Sequence, residues 1–270
     1  MSLGSRIRGL REEKGLTQEK LGENLNVSFQ AVSSWERDEY LPDTAKLIAL
    51  AETFDVSLSY LTEERIYDFK TTDAFYDWTH MKTFIKATAK SFRMADTLKA
   101  VDFAETAHRG QRRKNTDIPY IYHPLNVACH ALALGFHDDA LIAACLLHDV
   151  VEDTKYTLAD LPVSEEAKDL VARMTKKKDC PDKKEMLKKY YAGLRENPKA
   201  ALIKCLDRCN NLTTMSWGFS RSKICEYIEE TEKDILPLLN VLKKTTEYND
   251  AAWLLGYQMK STLDIYKRML

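Results

Sequence analysis

Apolar residues recur at spacings of three and four along most of the 270-residue chain, and alternating β-branched runs are scarce. No Asn-Gly or Asp-Gly pair marks a hairpin. The pattern predicts an all-α protein. Five short apolar periods open it: Ile7 and Leu10; Leu21 and Leu25; Val32 and Trp35; Leu47, Leu50, Ala51 and Phe54; then Val56, Leu58 and Leu61. Gly15 stops the first, Thr17 and Ser28 stand as N-caps, and Asn26-Val27 makes a short turn between the second and third. Short helices with a tight turn between the second and third predict a five-helix, helix-turn-helix unit over residues 4–64. A connector over residues 65–93 follows, carrying Phe69, Phe75, Tyr76, Trp78, Phe84, Ile85 and Phe92. It is too aromatic for a flexible tether and is expected to be helical and packed, at a dimer interface. Residues 94–270 form a larger helical domain.

The length corresponds to roughly 1.8 domains, in keeping with this division. A chain that is 44% hydrophobic and 30% charged, with 9 Gly and 7 Pro, is neither disordered nor fibrous. No run approaches the ~18 apolar residues of a membrane span, and the first thirteen residues carry charges where a secretion signal needs an apolar stretch. The expectation is a cytoplasmic protein that does not contact membrane. Its net charge of −1 gives no global argument for nucleic acid. Six cysteines, all from Cys129 onwards, show no Cys-x-x-Cys spacing and are expected to be buried free thiols in a reducing compartment, Cys205 and Cys209 sharing one helix face.

The first unit resembles the Cro/C1-type helix-turn-helix family. The match lies in Leu16-Thr17-Gln18-Glu19-Lys20-Leu21, in Val27-Ser28-Phe29-Gln30-Ala31-Val32-Ser33-Ser34-Trp35-Glu36, and in Pro42 with the Leu-rich tail. The resemblance implies that Gln18 holds a DNA phosphate and that Ser28, Phe29, Gln30, Ser33 and Ser34 face the major groove. Gln30 could pair with adenine and Phe29 touch a thymine methyl, while Val32 and Trp35 belong to the core. A single reading helix covers a half-site, so a homodimer is expected. Against this stands charge: residues 1–64 hold seven Lys and Arg against twelve Asp and Glu, a net of −5. Phosphate neutralisation underlies DNA affinity, so binding to double-stranded DNA is expected to be weak unless the basic residues cluster. Arg6, Arg8, Arg11, Lys14 and Lys20 do concentrate in the first two helices. The alternative is a module kept for protein contacts or dimerisation.

The chemistry-bearing stretch of the second domain is Leu146-Leu147-His148-Asp149-Val150-Val151-Glu152-Asp153-Thr154. On one continuous helix, His148, Asp149, Glu152 and Asp153 fall at about 0, 100, 40 and 140°. Three carboxylates at the end of a buried helix are costly without a cation, and a divalent metal with mixed N and O ligands would relieve that cost. His123-Pro124 opens another helix. Asp207, Asn211 and Thr214 fall at about 0, 40 and −20° on a third, where Arg208 could orient Asp207 or contact phosphate.

These stretches resemble the HD superfamily of metal-dependent phosphohydrolases, and within it the Rel/Spo-type small alarmone hydrolases. The carrying residues are Phe103-Ala104-Glu105-Thr106-Ala107-His108-Arg109-Gly110-Gln111-Arg112-Arg113-Lys114, Pro119-Tyr120-Ile121-Tyr122-His123-Pro124-Leu125, Leu147 to Thr154, and Asp207-Arg208 with Asn211 and Thr214. A weaker likeness continues at Tyr227 to Thr231. The resemblance implies His123, His148, Asp149 and Asp207 as metal ligands, with Mn²⁺ the usual ion. It implies Glu152 and Asp153 as the catalytic pair that positions and activates water, Arg113 against the guanine, Lys114 near the phosphates, and Asn211 and Thr214 at the ribose or 3′-phosphates. The activity implied is removal of the 3′-pyrophosphate of (p)ppGpp, leaving GDP or GTP.

Some positions depart from the family pattern. The spacing from Arg113 to His123 is one residue longer than is typical, and Asn210 stands where many relatives have His. With the sequence ending at Leu270, degradation without synthesis is the expectation. Residues 173–189, eight basic against three acidic, either hold nucleotide phosphates or form a solvated loop. His108 is read as structural, His130 as a core histidine, and His80 and His137 as surface. Trp217, Trp253 and Tyr257 are read as packing. Two alternatives to the hydrolase stand: a transcriptional regulator whose HD domain senses a nucleotide without turnover, and an HD hydrolase of another phosphorylated nucleotide. A sensor would be expected to have lost Glu152 or Asp153.

Overall fold

The structure, a computed structural model, describes residues 2–56, 58–62, 77–113, 118–176, 182–217 and 219–270. They form helices and no strand, apart from an isolated bridge between Arg112 and Pro119. The chain divides into two compact units, one running to Lys70 with Phe219–Glu226, the other comprising Thr71–Gly218 and Tyr227–Leu270.

The first unit holds α1 (Leu3–Glu13), α2 (Gln18–Leu25), α3 (Phe29–Glu36), α4 (Thr44–Phe54) and α5 (Leu58–Thr62). Its caps are those the sequence marks. Thr17 accepts from the Lys20 amide, so the cap forms without Glu at the third position, and Ser28 accepts from the Ala31 amide. Each such cap stabilises by about 1 kcal/mol. Asn26 closes α2 in the left-handed region, at φ 52°. Gly22 is required where α2 turns into α3, because a Cβ there would sit 2.8 Å from the Val27 carbonyl oxygen. Ile7, Leu21, Val32, Leu50, Phe54 and Leu61 close the core.

The second unit contains α6 (Trp78–Ser91), α7 (Ala95–Ala107), α8 (Tyr122–Ala133), α9 (Asp139–Leu147), α10 (Val150–Asp153), α11 (Glu165–Met174), α12 (Lys183–Arg195) and α13 (Pro198–Thr214). After them come α14 (Arg221–Glu230), whose last four residues belong here, a π-turn at Thr231–Ile235, α15 (Leu239–Leu242) and α16 (Thr246–Met269). Every residue of α9 from Ala140 to Leu147 is buried, so this helix is apolar all round and lies among α7, α8, α11 and α13. The chain after it is thereby delivered to the interior.

Several expectations change. Helix α6, read as part of a packed connector, lies in the second unit with Ile85 and Ala89 buried, while Phe84 and Phe92 remain exposed. Phe69, Phe75 and Tyr76 lie outside the described residues. Trp253 and Tyr257 are not core: they are 69% and 63% exposed and stack on each other along α16, one turn apart. Cys145, Cys205 and Cys209 are buried free thiols, but Cys129 is half-buried and Cys225 exposed; Cys180 lies outside the described residues. Among the described residues, no helix is long and apolar enough to cross a membrane.

Candidate active site

Four elements bring the predicted ligands together. His123 stands in the first turn of α8, where Pro124 lacks an amide the helix does not use. His148 and Asp149 form the turn between α9 and α10, and Asp207 lies in the middle of α13. The sequence predicted one continuous helix through His148 and Asp149, and the helix is instead interrupted there. His148 Nδ1 donates to the Cys145 carbonyl at 2.8 Å, the acceptor that a continuous helix would offer to the Asp149 amide. The break lets two neighbouring side chains, about 100° apart on a regular helix, aim at one point.

The distances define that point. His123 Nε2 lies 3.2 Å from His148 Nε2, 3.5 Å from Asp149 Oδ2 and 3.2 Å from Asp207 Oδ1. His148 Nε2 lies 3.2 Å from Asp149 Oδ2 and 3.7 Å from Asp207 Oδ1. A cation with ligand bonds of about 2.1 Å has neighbouring ligand atoms roughly 3.0–3.4 Å apart, in tetrahedral or octahedral geometry. His123, His148 and Asp149 therefore cluster closely enough to hold a divalent ion, with Asp207 Oδ1 beside the two histidines, and imidazole with carboxylate is the mixed donor set that transition metals favour.

The electrostatics agree. Burial pushes the Asp149 and Asp207 carboxyls up, but His148 and His123 around the first, and Lys204 and the histidines around the second, hold both well below the usual range. Burial disfavours the His148 imidazolium, yet Asp149 and then Asp207 outweigh it and raise His148 to about 10. His123 is lowered, by burial first and then by Arg113. The cluster favours positive charge at its centre.

Around the ligands lies a cavity of about 150 Å³, bordered also by Glu152, Lys176, Tyr190, Lys204, Asn211 and Tyr227. Glu152 is half-buried and accepts from the Lys176 amide at 3.0 Å, while Asp153 is exposed beside it. The carboxylates thus grade from interior to rim rather than sharing one buried arc. Arg113, Asn211 and Thr214, widely separated in sequence, meet: Arg113 donates to Asn211 Oδ1 at 3.0 Å and to Thr214 Oγ1 at 2.8 Å. Lys114 lies outside the described residues. Arg208, expected to orient Asp207 or contact phosphate, makes its hydrogen bonds elsewhere. It is buried over the Tyr227 ring, donating to Glu230 at 2.7 Å and Thr231 at 2.9 Å.

Tyr120, Lys204 and Tyr190 were given no role by the sequence reading, and Lys176 only as one of the basic residues of 173–189. Tyr120 donates to Asp149 Oδ2 at 2.6 Å, and Lys204 pairs with Asp207 Oδ2 at 2.8 Å. The Lys176 and Lys204 ammonium groups lie 5.3 and 5.9 Å from the Tyr190 ring. Lys204 had a legible signal, its helical spacing of three from Asp207. His108 caps α7, bonds to Gln111 at 2.7 Å and packs on Tyr120, as a structural residue would. His80 and His137 are exposed, the latter stacked on Phe92, and His130 is half-buried.

In the first unit, Ser28, Phe29 and Gln30 form the exposed start of α3, and Ser33 and Ser34 follow, half-buried. Gln18 is half-buried, and its amide donates to Glu36 Oε2 at 2.8 Å, beside the Arg11–Glu36 ion pair at 2.5 Å. The basic cluster is smaller than its sequence count, because Arg6 bonds the Tyr60 and Leu61 carbonyls and is buried with Arg11.

Known proteins echo both units. The helix-turn-helix family matches residues 7–61, and the HD domain family matches residues 100–233. A mouse protein, guanosine-3′,5′-bis(diphosphate) 3′-pyrophosphohydrolase MESH1 of Mus musculus, is 35% identical over 143 residues, covering 50% of this chain and 80% of that one. The enzyme of the same activity from Aquifex aeolicus is 36% identical over 149 residues, covering 53% of this chain but only 21% of its own length. A GTP pyrophosphokinase of Streptomyces coelicolor is likewise 36% identical, with 20% of its length covered. The chain thus spans about a fifth of the long bacterial relatives and most of the short animal one. A solved structure described as a metazoan SpoT ortholog that hydrolyses ppGpp superposes with a TM-score of 0.52 at 24% identity, over 63% of this chain and 94% of that one. That likeness shows a common fold. By its match to most of the mouse relative, the chain belongs to the HD-domain guanosine-3′,5′-bis(diphosphate) 3′-pyrophosphohydrolase family, here with a helix-turn-helix unit at its start.

Proposed function

We propose that the protein is a metal-dependent hydrolase that removes the 3′-pyrophosphate of (p)ppGpp, giving GDP or GTP and pyrophosphate, under the control of a DNA-binding unit. The observation that carries this reading is the convergence of His123, His148, Asp149 and Asp207 at 3.2–3.7 Å, next to the Arg113–Asn211–Thr214 cluster. These four residues hold a divalent cation, Mn²⁺ being the proposed ion. When bound, it offsets charge on the 3′-diphosphate and lowers the pKa of the attacking water. Glu152 and Asp153 position that water and take its proton, from a turn that directly follows ligand Asp149. Arg113 packs against the guanine with Lys114 towards the phosphates, and Asn211 and Thr214 hold the ribose or 3′-phosphate oxygens. Lys176 and Lys204 add positive charge to the cavity.

The first unit is proposed to bind double-stranded DNA through Ser28, Phe29, Gln30, Ser33 and Ser34, with Gln18 at a phosphate, as a homodimer in the cytoplasm. The exposed first turn of α3 supports the reading surface.

The test is pyrophosphate release from ppGpp with Mn²⁺, with chelator, and with Asp149→Ala. Release that requires both metal and Asp149 supports the hydrolase. Binding of ppGpp without release would replace it with the sensor, and no binding would exclude the alarmone as substrate.

A further inference from the structure

His123 reaches the metal point through Nε2, so its Nδ1 must carry the proton in the neutral, ligating form. That nitrogen lies 2.5 Å from Asn210 Oδ1, in a place where Asn210 is only 5% exposed. The amide oxygen of Asn210 accepts. Its nitrogen must then face the other way, and it does, donating to Asn126 Oδ1 at 2.8 Å. Asn126 lies on α8 one turn after His123, so the two ends of the chain of bonds share one helix and its middle sits on α13.

We propose that Asn210 and Asn126 form a two-amide relay that fixes the Nδ1–H tautomer and ring plane of His123, making Asn210 a positioning residue for the metal centre. The inference rests on the metal reading above. Three features support it. An Asn side chain can accept from His123 in one orientation only, and the flipped amide would set two donors against each other. Asn126 Oδ1 removes that freedom by requiring a donor from Asn210. The arrangement also repeats the role that Cys145 O performs for His148, whose Nδ1 donates to that carbonyl at 2.8 Å. Each histidine ligand thus has an outer acceptor, one from the main chain and one from a side chain. Such outer partners set ligand basicity and orientation, and losing one typically costs about ten- to a hundredfold in metal affinity. A His at position 210 could accept through a ring nitrogen but would not carry the bond onward to Asn126 in the same way.

The experiment measures Mn²⁺ binding by calorimetry on the full chain, independent of any substrate. Asn210→Leu, close in volume but without an acceptor, is expected to weaken binding by about ten- to a hundredfold. Asn210→His is expected to restore most of it. Asn126→Ala, at a half-buried position less able to disturb folding, is expected to weaken it by a smaller factor. Long-range ¹H–¹⁵N spectra should show His123 protonated at Nδ1 in the wild type and mixed between tautomers in the Asn210→Leu and Asn126→Ala variants. A purely structural role would not move that signal. Wild-type affinity with an unchanged tautomer in both variants would overturn the relay while leaving the metal centre standing. A wild type that binds no Mn²⁺ would overturn both.

Discussion

The hydroxyl of Tyr120 donates at 2.6 Å to Oδ2 of Asp149, the same oxygen that lies 3.2 Å from His148 Nε2 and 3.5 Å from His123 Nε2. It also lies 3.3 Å from Asp153 Oδ2. One phenol therefore ties a metal ligand to a carboxylate proposed to handle the water. Burial, then Asp149, pushes its own pKa far up, so it stays a donor at any working pH. Tyr120→Phe keeps the ring against His108, 4.7 Å away, and removes only the bond. The expected outcome is a loss of about tenfold or more in Mn²⁺ affinity and a lower kcat, with KM for ppGpp little changed. Calorimetry and steady-state kinetics check it, and unchanged values in both would make the contact idle.

Arg113 is held by two hydrogen bonds from one nitrogen, Nη2, to Asn211 and Thr214, and lies 5.8 Å from the Tyr120 ring. A planar guanidinium can bond both partners and still offer a flat face to a base, which an ammonium cannot. Arg113→Lys keeps the charge but loses the flat face and the reach that sets Nη2 between Asn211 and Thr214. Hydrogen bonds to charged groups are worth about 1.5–3 kcal/mol, so KM for ppGpp should rise by roughly ten- to a hundredfold. Mn²⁺ affinity should change little, because the substitution keeps the positive charge that acts on His123. Parallel kinetics and metal titration separate this result from damage to the centre.

Helical periodicity made the five short helices and their caps legible, because Thr17 and Ser28 act within one turn of chain. The residues proposed to hold the metal were legible as residue types at fixed offsets. The break at His148 was not, because it depends on a side chain taking the carbonyl of Cys145, a competition that an ideal 100° wheel cannot represent. Asn210 and Asn126, 84 residues apart, join only after α8 and α13 pack together. Whether the packing expected of Trp253 and Tyr257 would be buried was not legible for the converse reason: an aromatic pair at spacing four fits a buried face and a self-stacking exposed one alike.

Glu230 links the buried cations behind the cavity. It accepts from Arg208 at 2.7 Å and faces Lys176 Nζ at 3.5 Å. Burial alone would raise its carboxyl, but Arg208 and then Lys176 hold it at about 2, against an ordinary value of 4.5. A folded pKa below the unfolded one stabilises fully above pH 4.5, and this contribution fades as pH falls towards 2. Glu230→Gln should therefore cost roughly 2 kcal/mol at pH 7, since it leaves buried Arg208 without its counter-charge. The gap between variant and wild type should close between pH 4.5 and 2. Urea unfolding at pH 7, 4 and 3 measures it, and a gap independent of pH would assign the loss to packing.

DNA binding by the first unit should depend only mildly on salt. Of its basic residues, Arg6 and Arg11 are buried in internal bonds, and Lys46 donates to the Leu25 carbonyl. Arg8, Lys14, Lys20 and Arg37 remain exposed, and three of these share Glu12, Glu23 or Glu39 as surface partners. Each phosphate neutralised contributes about −0.9 to the slope of log K against log salt. Four cations set a limit of about −4 per protomer, shallower than a protein making six to ten phosphate contacts. Fluorescence anisotropy on a selected duplex between 50 and 200 mM KCl measures the slope. Gln30→Ala, in the exposed first turn of α3, should reduce preference for that duplex over mixed-sequence DNA by about 1–3 kcal/mol and leave the slope unchanged. A slope steeper than about −4 for each protomer bound would mean that cations outside residues 1–64 reach the DNA, and an unchanged preference would remove Gln30 from the reading surface.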